Sequence, residues 1–319
     1  MPAAGAEVGR PECPAVLLVV FNRPEQTRRA FQAVRARRPA RLFVAADGPR
    51  PGVMSDAENT RRVRELATDI DWPCELHTLL REDNLGCARA VSEAITWFLS
   101  QAGEGIVLED DCVPSPAFWD FCALMLERYR DDPRVGCVSG NNFLPQRLRP
   151  DRPYYFSRYP LIWGWATWQR AWQAFQRTPA DAPRDEIARL ARRAVPGNAP
   201  ARWWWRRTLR RYVTATSSSW GYRWTYANWR ENALTIVPNR NLVANIGFDA
   251  QATHGRSDSH NPAATTQPFA LAALQTFDPP VRPDLRADAI YNLHTVTGHN
   301  LLTTSARRLG QRLPWRRKS

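Results

Sequence analysis

The sequence predicts an α/β fold built on a doubly wound, mostly parallel sheet. Short continuous apolar runs recur through the first half of the chain, and each run ends at a polar or glycine-containing turn. Segments with apolar residues at helical spacing follow these turns. Repeated strand-then-helix units favour a parallel sheet with right-handed crossovers, because such a sheet needs helices on both of its faces.

The individual elements follow from these patterns. Strands are predicted at residues 16–21, 42–46, 74–80, 106–108 and 135–139. Helices are predicted around residues 24–34, 55–69, 88–98, 116–129 and 187–194. Pro24 and Pro116 support two of the helix starts, because proline is well tolerated in the first helical turn. A further strand is expected near Asn241, and a helix is expected within residues 284–292.

The predicted strand at residues 106–108 ends on three adjacent carboxylates, Glu109, Asp110 and Asp111. In open α/β sheets, ligands bind outside the carboxyl ends of the strands, so this cluster is expected to face a crevice. Adjacent carboxylates repel one another unless a positive group lies between them, and a hard divalent cation with oxygen ligands satisfies that need. The alternative interpretation is a polar strand exit followed by a turn.

The 319-residue chain carries a formal charge of +13 and has a pI of about 10.2. This charge favours an anionic partner such as a nucleic acid, a nucleotide diphosphate or an acidic membrane surface. Lys318 is the only lysine, so nearly all of the positive charge is arginine. The basic segment 307–318 fits either peripheral contact with anionic lipid at the inner face of the plasma membrane or a solvated terminus.

Several classes of protein are disfavoured by missing features. No stretch is long and apolar enough to span a bilayer and the start lacks the pattern of a signal peptide, so a cytoplasmic protein is expected. The six cysteines show no metal-binding spacing, which indicates buried thiols. Phe21-Asn22-Arg23-Pro24 follows the first strand in place of a glycine-rich turn, and no P-loop occurs. Dinucleotide oxidoreductases, P-loop enzymes and sugar-nucleotide pyrophosphorylases are therefore poor fits.

The second half is rich in tryptophan, with most of the chain's 14 tryptophans between Trp163 and Trp229. Many of these rings are expected in the core, yet indole rings also stack on the apolar faces of sugars. Trp163-Gly164-Trp165 is assigned to the wall of a site, because glycine between two large rings lets a ligand approach closely. Downstream, His254 fits either a structural histidine or a second ligand of a metal held by the acidic cluster.

Six blocks, in this order, resemble one known family. They are Phe21-Asn22-Arg23-Pro24, Asp47-Gly48-Pro49, Asn84-Leu85-Gly86, Leu108-Glu109-Asp110-Asp111, Trp163 to Trp168, and Asn245-Ile246-Gly247-Phe248 with Thr253-His254. Over residues 15–255 the chain resembles bacterial nucleotide-diphospho-sugar transferases of the GT-A fold, also described as haemolysin-like glycosyltransferases. The Glu-Asp-Asp signature is also similar to that of the more distant animal N-acetylglucosaminyltransferase I family.

The resemblance implies a Rossmann-like GT-A fold and a metal-dependent, inverting glycosyltransferase that uses Mn²⁺ or Mg²⁺. The implied donor is a nucleotide-diphosphate sugar, expected to be a UDP-sugar, and the implied acceptor is a glycan or lipid-linked molecule of the cell envelope or capsule. Residues 15–145 would form the nucleotide-sugar-binding half of the domain, residues 146–256 the acceptor-binding half, and residues 257–319 a C-terminal extension with a basic tail.

The resemblance also implies roles for individual residues. The metal site is assigned to Asp111, as the direct ligand, and to His254. Contacts with the nucleotide sugar are assigned to Glu109 and Asp110 at the ribose or sugar, Asp47 at the base, Arg23 near the diphosphate, and also to Phe21, Asn22, Arg81, Asn84, Gly86 and Arg89. Contacts with the acceptor are assigned to Trp163, Gly164, Trp165, Trp220 and Trp224.

The six blocks leave the general base open. In related transferases an aspartate follows a tryptophan in the acceptor-side segment, but the corresponding residue here is Gly221. Glu231 and Asp249 are the candidates for this role. One alternative function is a non-catalytic protein on the same scaffold that binds a nucleotide sugar or a glycan. A nucleic-acid-binding protein is disfavoured, because acids occupy the expected cleft and no motif of a known nucleic-acid-binding class occurs.

Overall fold

A computed structural model describes residues 11–214, 216–247 and 265–298. Its strands are β1 (Val16–Val20), β2 (Arg41–Ala46), β3 (Glu75–Leu80), β4 (Glu104–Glu109), β5 (Cys112–Pro114), β6 (Val135–Ser139), β7 (Tyr154–Ser157), β8 (Trp165–Trp168), β9 (Leu234–Pro238) and β10 (Val243–Asn245). Its α-helices are α1 (Pro24–Arg37), α2 (Met54–Thr68), α3 (Cys87–Ala102), α4 (Pro116–Arg128), α5 (Gln169–Gln176), α6 (Arg184–Ala194), α7 (Ala199–Tyr212), α8 (Gly221–Glu231) and α9 (Leu285–Tyr291). The strands and helices predicted for the first half are confirmed, with small shifts at their ends.

The main sheet has eight strands in the order β3-β2-β1-β4-β8-β6-β9-β7. β1 pairs in parallel with β2 and with β4, and β2 pairs in parallel with β3. β8 lies antiparallel between β4 and β6, and β7 is antiparallel to β9. The α/β class is confirmed, but the sheet is mixed, because the tryptophan-rich segment contributes an antiparallel strand between two parallel ones.

Helices cover both faces of this sheet. Leu18 of β1 faces a core that includes Phe31 of α1 and Phe121 of α4. Its neighbour Leu17 faces the opposite core, which includes Phe98 of α3. Successive side chains of a strand point to opposite faces, so a strand with helices on both sides must be apolar throughout. This explains why the first strands are continuous apolar runs.

The second half joins the same sheet through β7, β8 and β9. A third core, which includes Leu190, Trp205 and Trp229, packs α6, α7 and α8 together beside β7 and β9. The C-terminal part also packs beside β7, an outermost strand of the sheet, where Phe156 forms an isolated β-bridge with Pro283. The helix expected within residues 284–292 is confirmed as α9, whose N-terminus is capped by the Asp284 side chain.

Two expectations from composition concern membrane-spanning helices and the state of the cysteines. In the described ranges, no helix has both the length and the apolar character that crossing a bilayer requires. All six cysteines, which lie in these ranges, are free thiols. Cys112, Cys122 and Cys137 are buried as expected, whereas Cys87 is exposed at the first turn of α3.

Candidate functional site

The candidate site lies where the order of the strands reverses. The chain runs outward from β1 through β2 to β3 and then returns as β4 on the other side of β1. Where the loops after two neighbouring strands turn in opposite directions, a crevice opens at the carboxyl ends of those strands. Open α/β sheets bind ligands in this crevice. Arg23 follows β1, and Asp110 and Asp111 follow β4, so all three residues reach this crevice.

Arg23 bridges the two aspartates. Its Nη2 donates to Asp110 Oδ1 and, at 3.0 Å, to Asp111 Oδ2, and its Nε lies 3.4 Å from Asp110 Oδ2. The planar guanidinium group suits this forked contact with carboxylates. Asp110 is nearly buried, whereas the Asp111 side chain keeps 16% of its surface exposed. Asp111 is therefore the member of the pair that can still reach a ligand.

The surroundings shift the pKa values of the charged residues in this cluster. Burial, together with the neighbouring aspartates, raises the pKa of Glu109 above its ordinary value. Burial also raises the pKa of Asp110, although the Arg23 guanidinium opposes that shift. Burial by itself would lower the pKa of Arg23, but the two aspartates outweigh burial and the pKa is raised. Arg23 is therefore a permanent cation that holds the acids together and only partly balances their charge.

The short strand β10 and the turn after it pack directly on Asp111. The Ile246 N–H donates to the backbone carbonyl of Asp111 at 2.9 Å, and Asn245 Nδ2 donates to Asp111 Oδ1 at 3.3 Å. A β-carbon on Gly247 would lie 2.2 Å from Asp111 Oδ2, so a side chain at this position would displace the carboxylate. Asn245 and Gly247 therefore belong to the site, a role that the sequence analysis did not give them.

Buried asparagines and glycines hold β10 in place. Asn141 and Asn241 are fully buried, and their Nδ2 atoms donate to the carbonyl of Val243 at 3.2 and 2.8 Å. A β-carbon on Gly140 or Gly164 would lie 2.5 or 2.7 Å from Val243 Cγ2. Gly164 was expected to admit a ligand, and that contact stays a prediction, because packing against Val243 already requires a glycine here. Gly164 makes room for Val243, and its φ of +71° is one that residues with a side chain rarely adopt.

Asp47, at the end of β2, organises the loop that precedes α3. Its carboxylate accepts from Asn84 Nδ2 at 3.1 Å and from the backbone N–H groups of Leu85 and Gly86 at 3.0 Å. A negative charge is favourable there, because the free N–H groups at a helix N-terminus point toward it. Asp47, Asn84 and Gly86 thus form one unit at the sheet edge, and the expected contact of Asp47 with a base stays a prediction.

Phe21 and Asn22 belong to a neighbouring cluster around Asp56 of α2. Buried Asp56 accepts from Asn22 Nδ2 at 2.7 Å and from Arg50 Nε at 2.6 Å. The hydrogen bonds from Arg50 are the main reason that the pKa of Asp56 falls to about 2. The Arg50 guanidinium also lies 5.5 Å from the centroid of the Phe21 ring. Sequence reasoning missed both residues: Arg50 directly follows the block Asp47-Gly48-Pro49, which could have drawn attention to it, whereas no motif surrounds Asp56.

Arg81 and Arg89 share one partner on α3. Arg81 Nη2 lies 3.2 Å from a carboxylate oxygen of Glu93, and Arg89 Nε lies 2.7 Å from the other. Arg89 is exposed and Arg81 is partly buried. Both guanidinium groups are therefore paired at the protein surface, and their expected contact with a nucleotide sugar stays a prediction.

Most of the rings assigned to an acceptor-binding wall are buried. Trp165, Trp220 and Trp224 are 0%, 4% and 1% exposed. The Trp165 ring centroid lies 5.7 Å from that of Trp220 and 5.8 Å from that of Trp224. The assignment is wrong for these three residues, because core packing leaves no ring face for a sugar. Trp163 keeps partial exposure and packs edge-on against Phe143, with 4.8 Å between the ring centroids.

Glu231 lies at the edge of the sheet opposite the one that carries Asp111, so it is badly placed to be the general base. It ends α8 and is followed after two residues by the amino end of β9. β9 runs parallel to β6, and both β6 and β4 run antiparallel to β8. The amino end of β9 therefore lies at the edge opposite the carboxyl end of β4, where Asp111 lies. The Glu231 carboxylate lies 3.7 Å from Arg177 at the surface, and its assignment as a base is wrong.

Two assigned residues lie outside the described residues. These are Asp249, the second candidate base, and His254, the expected second metal ligand. The basic segment 307–318, expected either at a membrane or in solvent, also lies outside them. Their assignments stay predictions.

No model of a known protein family matches the chain, and a search of curated proteins gives no match. The function is therefore inferred from the residues themselves and from the geometry that brings them together.

Proposed function

We propose that this chain is a metal-dependent glycosyltransferase of the GT-A fold. It would move a sugar from a nucleotide-diphosphate donor, a UDP-sugar, to a glycan or lipid-linked acceptor of the cell envelope. The observation that carries the proposal is the meeting of Arg23, Asp110 and Asp111 at the reversal point between β1 and β4. This edge is the ligand-binding edge of an open α/β sheet.

The distribution of the six sequence blocks supports the same function. Five of them contribute residues to the carboxyl edge of β1, β2, β3 and β4 or to the turn that packs on Asp111. The sixth, from Trp163 to Trp168, forms β8 and the turn before it, and β8 begins opposite Val107, near the carboxyl end of β4. Blocks that are far apart in sequence and converge on one edge are expected for a shared ligand site, whereas unrelated resemblances would be scattered.

A divalent cation fits the donor set at Asp111. Carboxylate oxygens are hard ligands, and Arg23 and Asn245 hold the Asp111 carboxylate in one orientation. The described residues contain no group of three or more His, Cys, Asp or Glu side chains arranged around a metal. Mg²⁺ and Mn²⁺ commonly use only one or two carboxylates, with substrate phosphates completing the coordination. Asp111 would thus hold the cation, with His254 as the expected second ligand, and the cation would stabilise the charge of the leaving diphosphate.

The chain's own residues would orient the nucleotide sugar and would supply fixed positive charge beside it. Nε and Nη2 of Arg23 are engaged with the aspartates, so a contact from Arg23 to the diphosphate would fall to Nη1. The Phe21 ring and the Arg50 guanidinium lie at the adjacent strand exits, where a nucleoside could stack and accept hydrogen bonds. Because the Arg23 bridge fixes the acids before substrate binds, little reorganisation would be needed during transfer.

A second function, nucleotide-sugar binding without turnover, is favoured by one observation. Gly221 occupies the position where related transferases carry the acceptor-side aspartate, and Glu231 lies at the opposite edge of the sheet. Within the described residues, neither position supplies a base to the crevice at β1 and β4. Transfer would then require Asp249 or another group to accept the acceptor proton.

Release of nucleotide diphosphate from a panel of nucleotide sugars, with and without Mn²⁺, tests the proposal. Asp111→Asn is expected to abolish metal-dependent release, because it removes the charge of the main ligand. Asp83→Asn is the matched control, since Asp83 is an exposed acid in the loop at the same sheet edge. Glu231→Gln is expected to keep full activity.

Three outcomes separate the alternatives. Metal-dependent release of one nucleotide, lost in Asp111→Asn and kept in Asp83→Asn, supports the transferase. Tight binding of a nucleotide in calorimetry, with no release in the presence of any acceptor tested, supports the binding protein. No binding of any nucleotide, with the fold intact by circular dichroism, contradicts both functions.

A further inference from the structure

The exposed face of α7 combines arginine with an exposed indole ring. The helix buries Ala201, Trp205, Thr208 and Leu209 against its neighbours. At 100° per residue, its five exposed large side chains lie within an arc of about 140°. These residues, called the α7 face below, are Trp203, Arg206, Arg207, Arg210 and Arg211. All five are exposed, so the helix has one apolar side and one strongly basic side.

A groove of about 680 Å³ runs along the α7 face. Its other wall is the segment that leads into α6, and Arg184 adds a fifth guanidinium group to the lining. Asp181 is the acidic residue among the residues that line it. The groove is therefore a concave surface with a large excess of positive charge.

This positive charge is not balanced within the described part of the molecule. None of the five arginines that line the groove forms an ion pair with a described carboxylate, in contrast to Arg61, which pairs with Glu58 and Glu65. Like charges three and four residues apart on one helix repel one another. The α7 face thus has unfavourable internal electrostatics that an external anionic partner would relieve.

The aromatic residues of this region indicate what kind of anionic partner fits. Trp203 is 62% exposed, and the Arg207 guanidinium lies 5.8 Å from the centroid of its ring. At one end of the helix, Tyr212 stacks on Tyr222 with 4.8 Å between ring centroids, and both rings are partly exposed. Exposed tryptophan and tyrosine beside arginine are typical of surfaces that lie at the headgroup level of a membrane.

We propose that the α7 face docks on a lipid bilayer that contains anionic phospholipids. The arginines would contact headgroup phosphates, and Trp203 would enter the interfacial layer beside them. A single-stranded nucleic acid fits less well, because it would require a series of exposed rings on which successive bases stack. The proposal does not depend on the glycosyltransferase function, since no residue of the α7 face belongs to the candidate site.

Sedimentation of the full chain with phosphatidylcholine vesicles, with and without phosphatidylglycerol, tests this proposal. We expect binding only to the anionic vesicles, weakened by high salt. The double substitution Arg206→Glu with Arg210→Glu is expected to weaken binding at least tenfold. Trp203→Ala is expected to weaken binding severalfold while the salt dependence persists, because the electrostatic attraction is unchanged.

The matched control is Arg29→Glu with Arg62→Glu, which makes the same charge change on exposed positions of α1 and α2. Equal loss of binding in both double variants would mean that net charge and not the α7 face controls binding, and would overturn the proposal. Unchanged binding in the α7 variant would assign membrane contact to another segment, such as 307–318, with the same consequence. Tighter binding of a labelled single-stranded oligonucleotide than of anionic vesicles would overturn it in favour of nucleic acid. Circular dichroism of each variant establishes that the fold is intact.

Discussion

Arginine has opposite roles at the candidate site and on the α7 face. Arg23 and Arg50 lie against buried aspartates, which their guanidinium groups orient through two or more hydrogen bonds. Arg206 and Arg210 are exposed on α7 and form no ion pair with a described carboxylate. Positive charge at the site is thus directed inward and fixes the geometry of acids, whereas on α7 it is directed outward. The net charge of +13 therefore has at least two different physical meanings.

The two regions should respond differently to loss of a charge. An arginine that balances a buried acid leaves an unpaired charge in a poorly solvated environment when it is removed. An exposed arginine among other arginines leaves water in its place and relieves repulsion. Four variants test the roles of these two regions.

Removal of Arg23 is expected to have the largest effect on stability. Arg23→Gln leaves Asp110 and Asp111 without their shared cation, and we expect the free energy of unfolding to fall by about 3 kcal/mol. Urea unfolding at neutral pH measures this loss. Arg29→Gln, at an exposed position of α1, the helix that follows Arg23, is the control and should change stability by less than about 0.5 kcal/mol. Equal effects of the two substitutions would contradict the bridging role of Arg23.

A methyl group at Gly247 should reduce activity more than stability. The β-carbon of Gly247→Ala would lie 2.2 Å from Asp111 Oδ2 and would push the carboxylate from its position. We expect about 100-fold slower release of nucleotide diphosphate, because misplacement of a reacting group by about 1 Å has an effect of that size. Gly197→Ala is the control for a loss of stability without contact with the site: nothing lies within 4 Å of its added carbon, but its φ of +72° is unfavourable for alanine, so we expect lower stability and normal release. Normal turnover in Gly247→Ala would exclude Asp111 from a positioned role.

Substitution of Asp56 should have a cost that depends on pH. The Arg50 pair lowers the pKa of Asp56 from its ordinary 3.8 to about 2. The stabilisation is therefore complete above the ordinary pKa and is lost as the pH falls through 3.8 toward 2. We expect Asp56→Asn to cost about 2 kcal/mol at neutral pH and about half of that near pH 3. Urea midpoints of both proteins at several pH values measure the difference, which would stay constant if the pKa of Asp56 were not lowered in the folded state.

Removal of charge from the α7 face should have the smallest effect on stability. Arg206→Gln with Arg210→Gln removes a like-charged pair at i and i+4, so we expect stability to rise by about 0.3 kcal/mol. Urea unfolding at low salt measures this change. A loss of more than about 1 kcal/mol would show that these arginines make stabilising contacts within the protein, and the contrast with Arg23 would no longer hold.

The fold of the first half could be predicted because its signals are local. Continuous apolar runs predict strands with helices on both faces, and Pro24 and Pro116 lie in the first turn of α1 and α4, as predicted. The antiparallel strand β8 was missed. Trp165–Trp168 is short and rich in indole rings, and the sequence pattern shows neither its direction nor its neighbours. Its position between β4 and β6 follows from packing with distant segments.

The candidate site could be predicted in part for a similar reason. The acidic triplet and Arg23 directly follow strands, so the parallel pairing of β1 with β4 is enough to bring them together. The block that begins at Asn245 was noted in the sequence, but its contact with Asp111 spans 134 residues, and no local pattern shows that the two segments meet. The tryptophans show the limit of composition, because an indole ring has the same sequence signature in a core as at a sugar-binding surface.

The α/β class, the charged residues at the strand ends and the acidic cluster after β4 could all be inferred from the sequence. These features depend on apolar periodicity and chain order, which are properties of short segments. Three further features are visible only in the folded chain: Gly164 makes room for Val243, Gly247 and Asn245 pack on Asp111, and the arginines of α7 share one unbalanced face. These features depend on which distant side chains meet and which stay exposed, and that outcome is fixed by packing of the whole chain.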